Sequence, residues 1–171
     1  MNIRLFYSSK KFYIVSKELS LTERLQLLIP GYRGYKVKDL VRQDDLLIRN
    51  AVKEKIERAI NYLGSLESQI AQSNPFSPQL RRMENLMSKL RILLSEINSA
   101  QGGGADVGAR YKLFAEYLEE IVKNDCDLIE LSTNLYEKVV SEDLDGLDKI
   151  IQEMRNILFK RVMLFYPKED R

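Results

Sequence analysis

LIPGYRGY, residues 28–35, divides this sequence into a short basic, aromatic segment and a long run of amphipathic sequence. Proline has no amide donor and restricts the residue before it, so a helix that reaches Leu28 should end at Pro30. Gly31 and Gly34 can adopt positive φ without steric cost. The stretch therefore predicts a helix end followed by a backbone that turns twice.

The side chains of this turn favour a structural role. Tyr32 and Tyr35 combine a large apolar ring with a polar tip, and Arg33 offers five donors in a rigid fork. We expect the tyrosines to cover the end of a helical core and Arg33 to pair with a nearby carboxylate or carbonyl. The alternative is that Arg33 binds an anionic ligand. The residues of this structural or binding turn are Pro30, Gly31, Tyr32, Arg33, Gly34 and Tyr35.

A series of charged residues follows the turn, namely Lys36, Lys38, Arg42, Asp45 and Arg49. With the turn, this pattern resembles the opening of an uncharacterised family of small prokaryotic all-helical proteins. A looser similarity to the same family links residues 111–114 (YKLF) with residues 125–128 (DCDL). The two motifs cover about half of the chain, and residues 1–19 lie outside the match. The resemblance implies a helical fold, and it implies no activity.

Length and charge describe one domain with an uneven charge distribution. At 171 residues the chain is long enough to bury a core, so we predict a single domain over residues 1–171. Residues 1–42 hold nine Lys/Arg and three Asp/Glu, a balance of +6, and the remainder has a balance of −4. A basic front end (1–42) therefore precedes a mildly acidic remainder. Within the domain we distinguish a basic aromatic N-terminal segment (1–19) from the helical bundle (20–171).

The rarest residue types exclude several kinds of chemistry. The chain has no histidine and one cysteine, Cys126. Ser-His-Asp and Cys-His sites are therefore excluded, as are most zinc and di-iron sites. Asp125 and Asp127 flank Cys126 and disfavour its thiolate, so we predict no nucleophile there. We expect no enzyme, no cofactor and no metal, and the single cysteine with no membrane-length apolar run predicts a cytoplasmic protein.

Helical periodicity accounts for most of the chain. Ser20 and Glu23 form a capping box that opens a short helix to Leu28. Long helices are predicted over about 36–71, 78–97, 108–140 and 142–165, the second capped by Ser77 with Pro78 at its first position and the last introduced by Ser141. We predict an all-α, up-down bundle of four long helices with coiled-coil-like seams. Residues 1–15 suit a small β-hairpin, an arm or a further helix.

Two acidic residues occupy positions where the helical pattern expects apolar ones. Asp44 lies in the stripe of the first long helix, and Asp125 lies in the seam of the third. A buried carboxylate is costly unless it is paired and hydrogen-bonded. We therefore expect Arg33 to pair with Asp125, or with Asp44 or Asp45. The alternative is that the acids are solvated at the mouth of the bundle.

Basic residues at two places suggest anion contacts. On the first long helix they share one side with Asp45, so the side is either a phosphate-binding strip or a solvated face with ion pairs at helical spacing. In the N-terminal segment they alternate with aromatic rings, which suits single-stranded nucleic acid or an anionic membrane surface. The alternative is a short element that buries its rings on the bundle. The candidate residues are Arg4, Lys10, Lys11, Lys38, Arg42 and Arg49.

The function most consistent with these observations is a non-catalytic binding or structural module. It would act through protein–protein interaction, either with another protein or by self-association, for which the heptad-like seams provide a basis. Nucleic-acid binding through the basic N-terminal segment and peripheral membrane association are the alternatives. No small-molecule substrate is indicated.

Overall fold

A computed structural model describes residues 19–35, 41–100 and 115–165, and within these ranges the chain is all-helical, without a β-strand. The hairpin or arm predicted for residues 1–15 lies outside the described residues. The five helices are α1 (Leu21–Leu28), α2 (Val41–Ser73), α3 (Pro78–Ser99), α4 (Ala115–Val140) and α5 (Leu147–Leu164).

Local capping chemistry sets the first residues of α1 and α3. The Ser20 Oγ accepts the Glu23 amide at 3.4 Å, and a Glu23 carboxylate oxygen accepts the Ser20 amide at 2.8 Å. At α3 the Ser77 Oγ accepts the Gln79 amide at 3.3 Å, with Pro78 at the start of the helix. Both predicted caps are confirmed, because each depends only on residues three positions apart or fewer.

The predicted start of the last helix is wrong. Ser141 caps nothing that follows it, because its Oγ donates to the Lys138 carbonyl at 3.0 Å and so belongs to the end of α4. Glu142 and Gly146 have φ values of 59° and 76°. An α-helix cannot include such left-handed residues, so α5 begins only at Leu147.

The helices pack as a ring of neighbours. α2 contacts α3 and α4, α5 contacts α4 and α3, and α1 lies on α4. Short connections, 74–77 and 141–146, make the α2–α3 and α4–α5 pairs antiparallel. Two ion pairs, Lys89–Asp148 and Glu96–Arg155, connect α3 and α5. From the first pair to the second, the residue number rises on both helices, so these two helices run in the same direction.

The predicted apolar seams form the interior. On α2 the buried positions recur at steps of three and four residues, which keeps one face of the helix against its neighbours. None of the helices in the described ranges combines the length and apolar character that crossing a bilayer needs. The buried apolar residues of α2 are Ile48, Val52, Ile56, Ala59 and Leu63.

Candidate functional site: a buried polar cluster and an exposed arm

The centre of the polar cluster is an arginine in the apolar seam of α5. Buried side chains occur at Leu147, Ile151, Met154 and Leu158, in alternating steps of four and three. The next step places Arg161 in the seam, and its side chain has no exposed surface. Arg161 was not among the predicted site residues, because arginine side chains normally lie at the surface.

Arg161 donates a hydrogen bond from each of its three guanidinium nitrogens. Nε lies 2.5 Å from Asp125 Oδ1, Nη1 lies 2.6 Å from Asp45 Oδ1, and Nη2 lies 2.7 Å from the Tyr35 hydroxyl. Burial disfavours the charge, but the carboxylates outweigh it and hold the pKa of Arg161 well above its usual value. The rigid fork of the guanidinium thus joins α5 to α4, to α2 and to the turn.

Asp125 receives donors on both carboxylate oxygens. Opposite its contact with Arg161, Oδ2 accepts the Tyr32 hydroxyl at 3.0 Å and the Tyr35 hydroxyl at 2.7 Å. Burial raises the pKa of Asp125, and Arg161 with the two hydroxyls opposes that rise. Burial, reinforced by the negative charge of Asp125, also raises the pKa of both tyrosines. The phenols therefore remain protonated donors.

Two adjacent acids at the start of α2 serve different partners. Asp45 accepts Arg161 on one oxygen and the Arg49 Nε, at 3.0 Å, on the other. Asp44 instead accepts two main-chain amides of the turn, from Arg33 at 3.1 Å and from Tyr35 at 2.8 Å. One carboxylate therefore neutralises arginines and the other fixes the backbone of the turn.

The turn is held in a conformation that few residues adopt. Gly31 and Gly34 have φ values of 90° and 66°, so the predicted double turn is confirmed, and Tyr35 follows with φ 60°. A bulky residue in this region is strained, by about 1–3 kcal/mol. The amide of Tyr35 bonds to Asp44, its hydroxyl contacts Asp125, and its ring lies edge-on to Phe165, with centroids 5.7 Å apart.

Arg33 does not make the predicted buried pair. Its side chain is exposed, and only its main-chain amide bonds to Asp44. Tyr32 and Tyr35 both face inward, 2% and 3% exposed, and the residue between them is left on the outer side. Asp44, Asp45 and Asp125 are interior rather than solvated, and the guanidinium that pairs with Asp45 and Asp125 belongs to Arg161.

The predicted anion contacts are only partly described. Arg49 is nearly buried and bound to Asp45, so its assignment as an anion contact is wrong, and the ion pair at helical spacing is present. Arg42 has an exposed side chain. The other four candidates, Arg4, Lys10, Lys11 and Lys38, lie outside the described residues.

The carboxylates of the polar cluster are all bonded to groups of the protein itself. Each oxygen of Asp44, Asp45 and Asp125 already accepts a hydrogen bond, and all three side chains are buried. Nearby, burial raises the pKa of the Cys126 thiol to about 12, and its Sγ donates to the Leu21 carbonyl at 3.6 Å. No group of three or more Cys, Asp or Glu in the described part of the chain is placed to share a metal ion. This arrangement suits positioning of the turn and helices.

At its other end α2 extends beyond its neighbour α4. The Tyr62 hydroxyl bonds to the carbonyl of Val140, the last residue of α4, at 3.3 Å. α2 continues to Ser73, roughly 16 Å further at a rise of about 1.5 Å per residue. The chain then turns and returns as α3. We define residues Ser68–Leu80, which form this projecting hairpin, as the arm.

The surface of the arm differs from the rest of the protein. Residues 68–80 contain no Lys, Arg, Asp or Glu, although 30% of the chain is charged. None of these residues is buried, and Phe76 at the turn has 93% of its surface exposed. The residues of the turn, 73–78, predicted only a helix break, and the lack of charge over residues 68–80 is the sequence signal that distinguishes the arm.

Comparisons of this chain with protein families, with curated proteins and with solved structures found no match.

Proposed function

We propose that the protein is a non-catalytic binding or structural module that acts through protein–protein interaction, with the arm as its contact surface. The exposure of Phe76 at the tip of an uncharged hairpin carries this proposal. The centres of protein interfaces are depleted in charged residues and enriched in aromatic ones. Because helices flank the tip, its backbone is already ordered, which lowers the entropic cost of binding.

A non-catalytic role agrees with the state of the polar cluster. Its carboxylates and its buried arginine bond to one another and to the turn. A general acid or base must reach a substrate proton within hydrogen-bond distance. These groups are buried and occupied, so their chemistry is directed at the fold.

The proposed architecture is an up-down bundle of four long helices in a single domain over residues 1–171. Its support is the ring of contacts α2–α3–α5–α4 and the alternation of helix direction along the chain. The bundle would consist of two antiparallel hairpins, α2–α3 and α4–α5, lying side by side. The arm is then the part of the first hairpin that extends beyond the second.

We also propose membership of the small prokaryotic helical family that the turn resembles. In support, the residues of the two motifs meet in one place, because Tyr32 and Tyr35 of the turn donate to Asp125, and Tyr35 and Asp45 both accept from Arg161. A cytoplasmic location remains our inference from the single cysteine.

The test is quantitative affinity capture with three versions of the full chain. Wild type is compared with Phe76→Ala and with Phe159→Ala, a control because Phe159 is also an exposed aromatic, at 68%, but lies on α5. We expect a co-purifying protein to be recovered in equal amounts with wild type and with Phe159→Ala. The same protein should be lost with Phe76→Ala. Equal recovery with all three versions would contradict the role of the arm.

Nucleic-acid binding and peripheral membrane association are the alternative functions. Both would depend on the positive charge of the N-terminal segment. Residues 1–19 hold four Lys/Arg and one Glu, a balance of +3. Nucleic-acid binding that uses these cations should weaken steeply with salt and decrease in a Lys10→Gln, Lys11→Gln variant. Sedimentation with anionic liposomes separates membrane association from it. Absence of both kinds of binding at low salt would remove these alternatives.

A further inference from the structure

Helix α1 and the turn that follows it form one continuous cover on α4. We define residues 20–35 as the strap. Among the helices of the described ranges, α1 lies only against α4, whereas each long helix contacts two other long helices. The strap buries the side chains of Leu25, Ile29, Tyr32 and Tyr35, so its closed position is the stable one. A segment with so few neighbouring elements can open separately from the rest of a protein.

The polar cluster has an ionic part that does not include the strap. Arg161 on α5 bonds to Asp45 on α2 and to Asp125 on α4, and Asp45 also accepts Arg49. All of these charged side chains belong to long helices. Separating them would leave uncompensated charges in the interior. The ionic part therefore holds α2, α4 and α5 together whether or not the strap is in place.

The strap adds neutral groups to this cluster. The hydroxyls of Tyr32 and Tyr35 donate to Asp125, and the main-chain amides of Arg33 and Tyr35 donate to Asp44. Water can replace such donors once a carboxylate is exposed, so losing them costs less than breaking a buried ion pair. The left-handed backbone of Tyr35, with φ 60°, also relaxes on detachment. Detachment of the strap therefore breaks the weaker links of the cluster and keeps the ionic ones.

Cys126 lies directly beneath the strap. It is 5% exposed, and its thiol donates to the Leu21 carbonyl at 3.6 Å. Together with Leu25 and Leu28 of α1 it lines a small cavity. It is the single cysteine of the chain, and burial raises its pKa to about 12, so the closed protein disfavours the reactive thiolate. The reactivity of this thiol therefore reports whether the strap is open.

We propose that the strap opens as one unit while the four long helices stay folded, and that its opening controls access to Asp125 and Cys126. This inference goes beyond the proposed function, because the strap bonds to the start of α2 and the arm is at its end. In the open state Asp125 stays paired with Arg161, and its other oxygen can accept donors from water or from another molecule. The strap is thus a cover that exposes a carboxylate without unfolding the long helices.

The first measurement is the rate at which a thiol reagent labels Cys126 in native buffer, over a series of low urea concentrations. The reagent is kept where the rate is proportional to its concentration, so that the rate reports the opening equilibrium. Local opening exposes little surface, so the rate should rise with urea much less steeply than global unfolding does. Labelling with the free energy and urea dependence of global unfolding would overturn the proposal. So would labelling at the rate of an unprotected thiol.

Two tyrosine variants locate the opening. Tyr35→Phe removes the hydroxyl that bonds to Asp125 and Arg161, so it should speed labelling by roughly 5–150-fold. Tyr62→Phe is the matched control, because its hydroxyl bonds to Val140 at the far end of α4, and it should leave the labelling rate unchanged. Equal rates in the two variants would contradict an opening at the strap. Circular dichroism spectra verify that both variants keep the helices of wild type.

Amide hydrogen exchange of the wild type tests whether α1 and the turn open together. The Ile29 amide bonds to the Leu25 carbonyl at 2.8 Å, and the Tyr35 amide bonds to Asp44 at 2.8 Å. Both should exchange with one free energy of opening, lower than that of the Ile56 amide in α2. Different values for Ile29 and Tyr35 would refute a single unit. Equal protection of all three amides would show that the strap opens only with global unfolding.

Discussion

The two ends of α2 place charge in opposite ways. At its start Asp44 and Asp45 are in the interior of the protein, 0% and 1% exposed. At its end, from Ser68 onward, no residue is charged although none is buried. Charge is tolerated inside where guanidinium and amide donors converge on it. Its absence outside leaves a surface that another molecule can cover without desolvating an ion.

The comparison can be tested most strongly by removing the buried cation. In Arg161→Met, Asp45 and Asp125 each lose a buried donor, and Asp125 keeps only the tyrosine hydroxyls. We expect a loss of about 3–5 kcal/mol in the free energy of unfolding, because an uncompensated charge remains inside. Urea denaturation measures the loss.

Arg155→Met is the matched control. It removes an arginine from the same helix, but its pair with Glu96 is exposed, so the expected loss is about 0–1 kcal/mol. Equal losses of unfolding free energy in the two variants would show that Asp45 and Asp125 do not need a buried cation. The proposed contrast between the two ends of α2 would then be wrong.

A second test addresses the turn that covers the charged end. Gly34→Ala should destabilise the protein by about 1–3 kcal/mol, since its φ is 66° and a Cβ would lie 2.9 Å from Thr22 Cγ2. Gly64→Ala is the control within α2. Its Cβ would meet only Met87 Sδ at 4.0 Å, so it should stabilise the helix by about 0.5–1 kcal/mol. Thermal unfolding should show shifts of opposite sign, and shifts of the same sign would contradict the strained turn.

A third test uses pH to examine whether the buried Tyr35 hydroxyl stays protonated in the folded protein. Because the pKa of Tyr35 is raised above about 10 in the folded protein, the folded state keeps a proton that the unfolded chain loses. The stability linked to this proton is complete below about pH 10 and declines as the pH rises further. Tyr35→Phe should therefore show a slope that is shallower by about 1.4 kcal/mol per pH unit above pH 10.

Denaturant titrations at several alkaline pH values measure this slope. At neutral pH the same variant should already lose about 1–3 kcal/mol, because the hydroxyl bonds to both Asp125 and Arg161. Parallel pH dependences of wild type and Tyr35→Phe would contradict the burial of a protonated phenol.

The smallest expected effect is at the arm. Phe76→Ala should change the free energy of unfolding by at most about 0.5 kcal/mol, because the ring is 93% exposed. Phe165→Ala, whose ring is buried against Tyr35 and lies below the Arg161 guanidinium, should cost about 3–5 kcal/mol. A large cost at Phe76 would mean that the tip is part of the core, which would remove the exposed end of the comparison.

Features that depend on neighbouring residues were predictable from the sequence. The caps at Ser20 and Ser77, the two positive-φ glycines of the turn and the seam of α2 are set by local chemistry and periodicity. The start of α5 was not, because serine occurs at both ends of helices and the left-handed Glu142 has no signature in its residue type.

The polar cluster was predictable only in part. The seam positions of Asp44 and Asp125 indicated that a cation should reach them, and the nearest arginine in the turn motif was the wrong choice. The regular spacing of four and three residues up to Leu158 predicts a buried side chain at position 161. An arginine at that position, however, would normally be expected at the surface. Only the tertiary arrangement, in which α5 packs on α4 and α3 and the Arg161 side chain reaches Asp45 of α2, identifies the donor.

The position of Arg161 in the chain also has a consequence for biosynthesis. The residues it joins, Tyr35, Asp45 and Asp125, all leave the ribosome before it. Until then Asp45 has only Arg49 as a partner and Asp125 has no buried cation, so closing the earlier helices around Asp125 is unfavourable. Nascent chains that lack α5 should therefore stay open and accessible to chaperones and proteases until Arg161 is available to pair with Asp125.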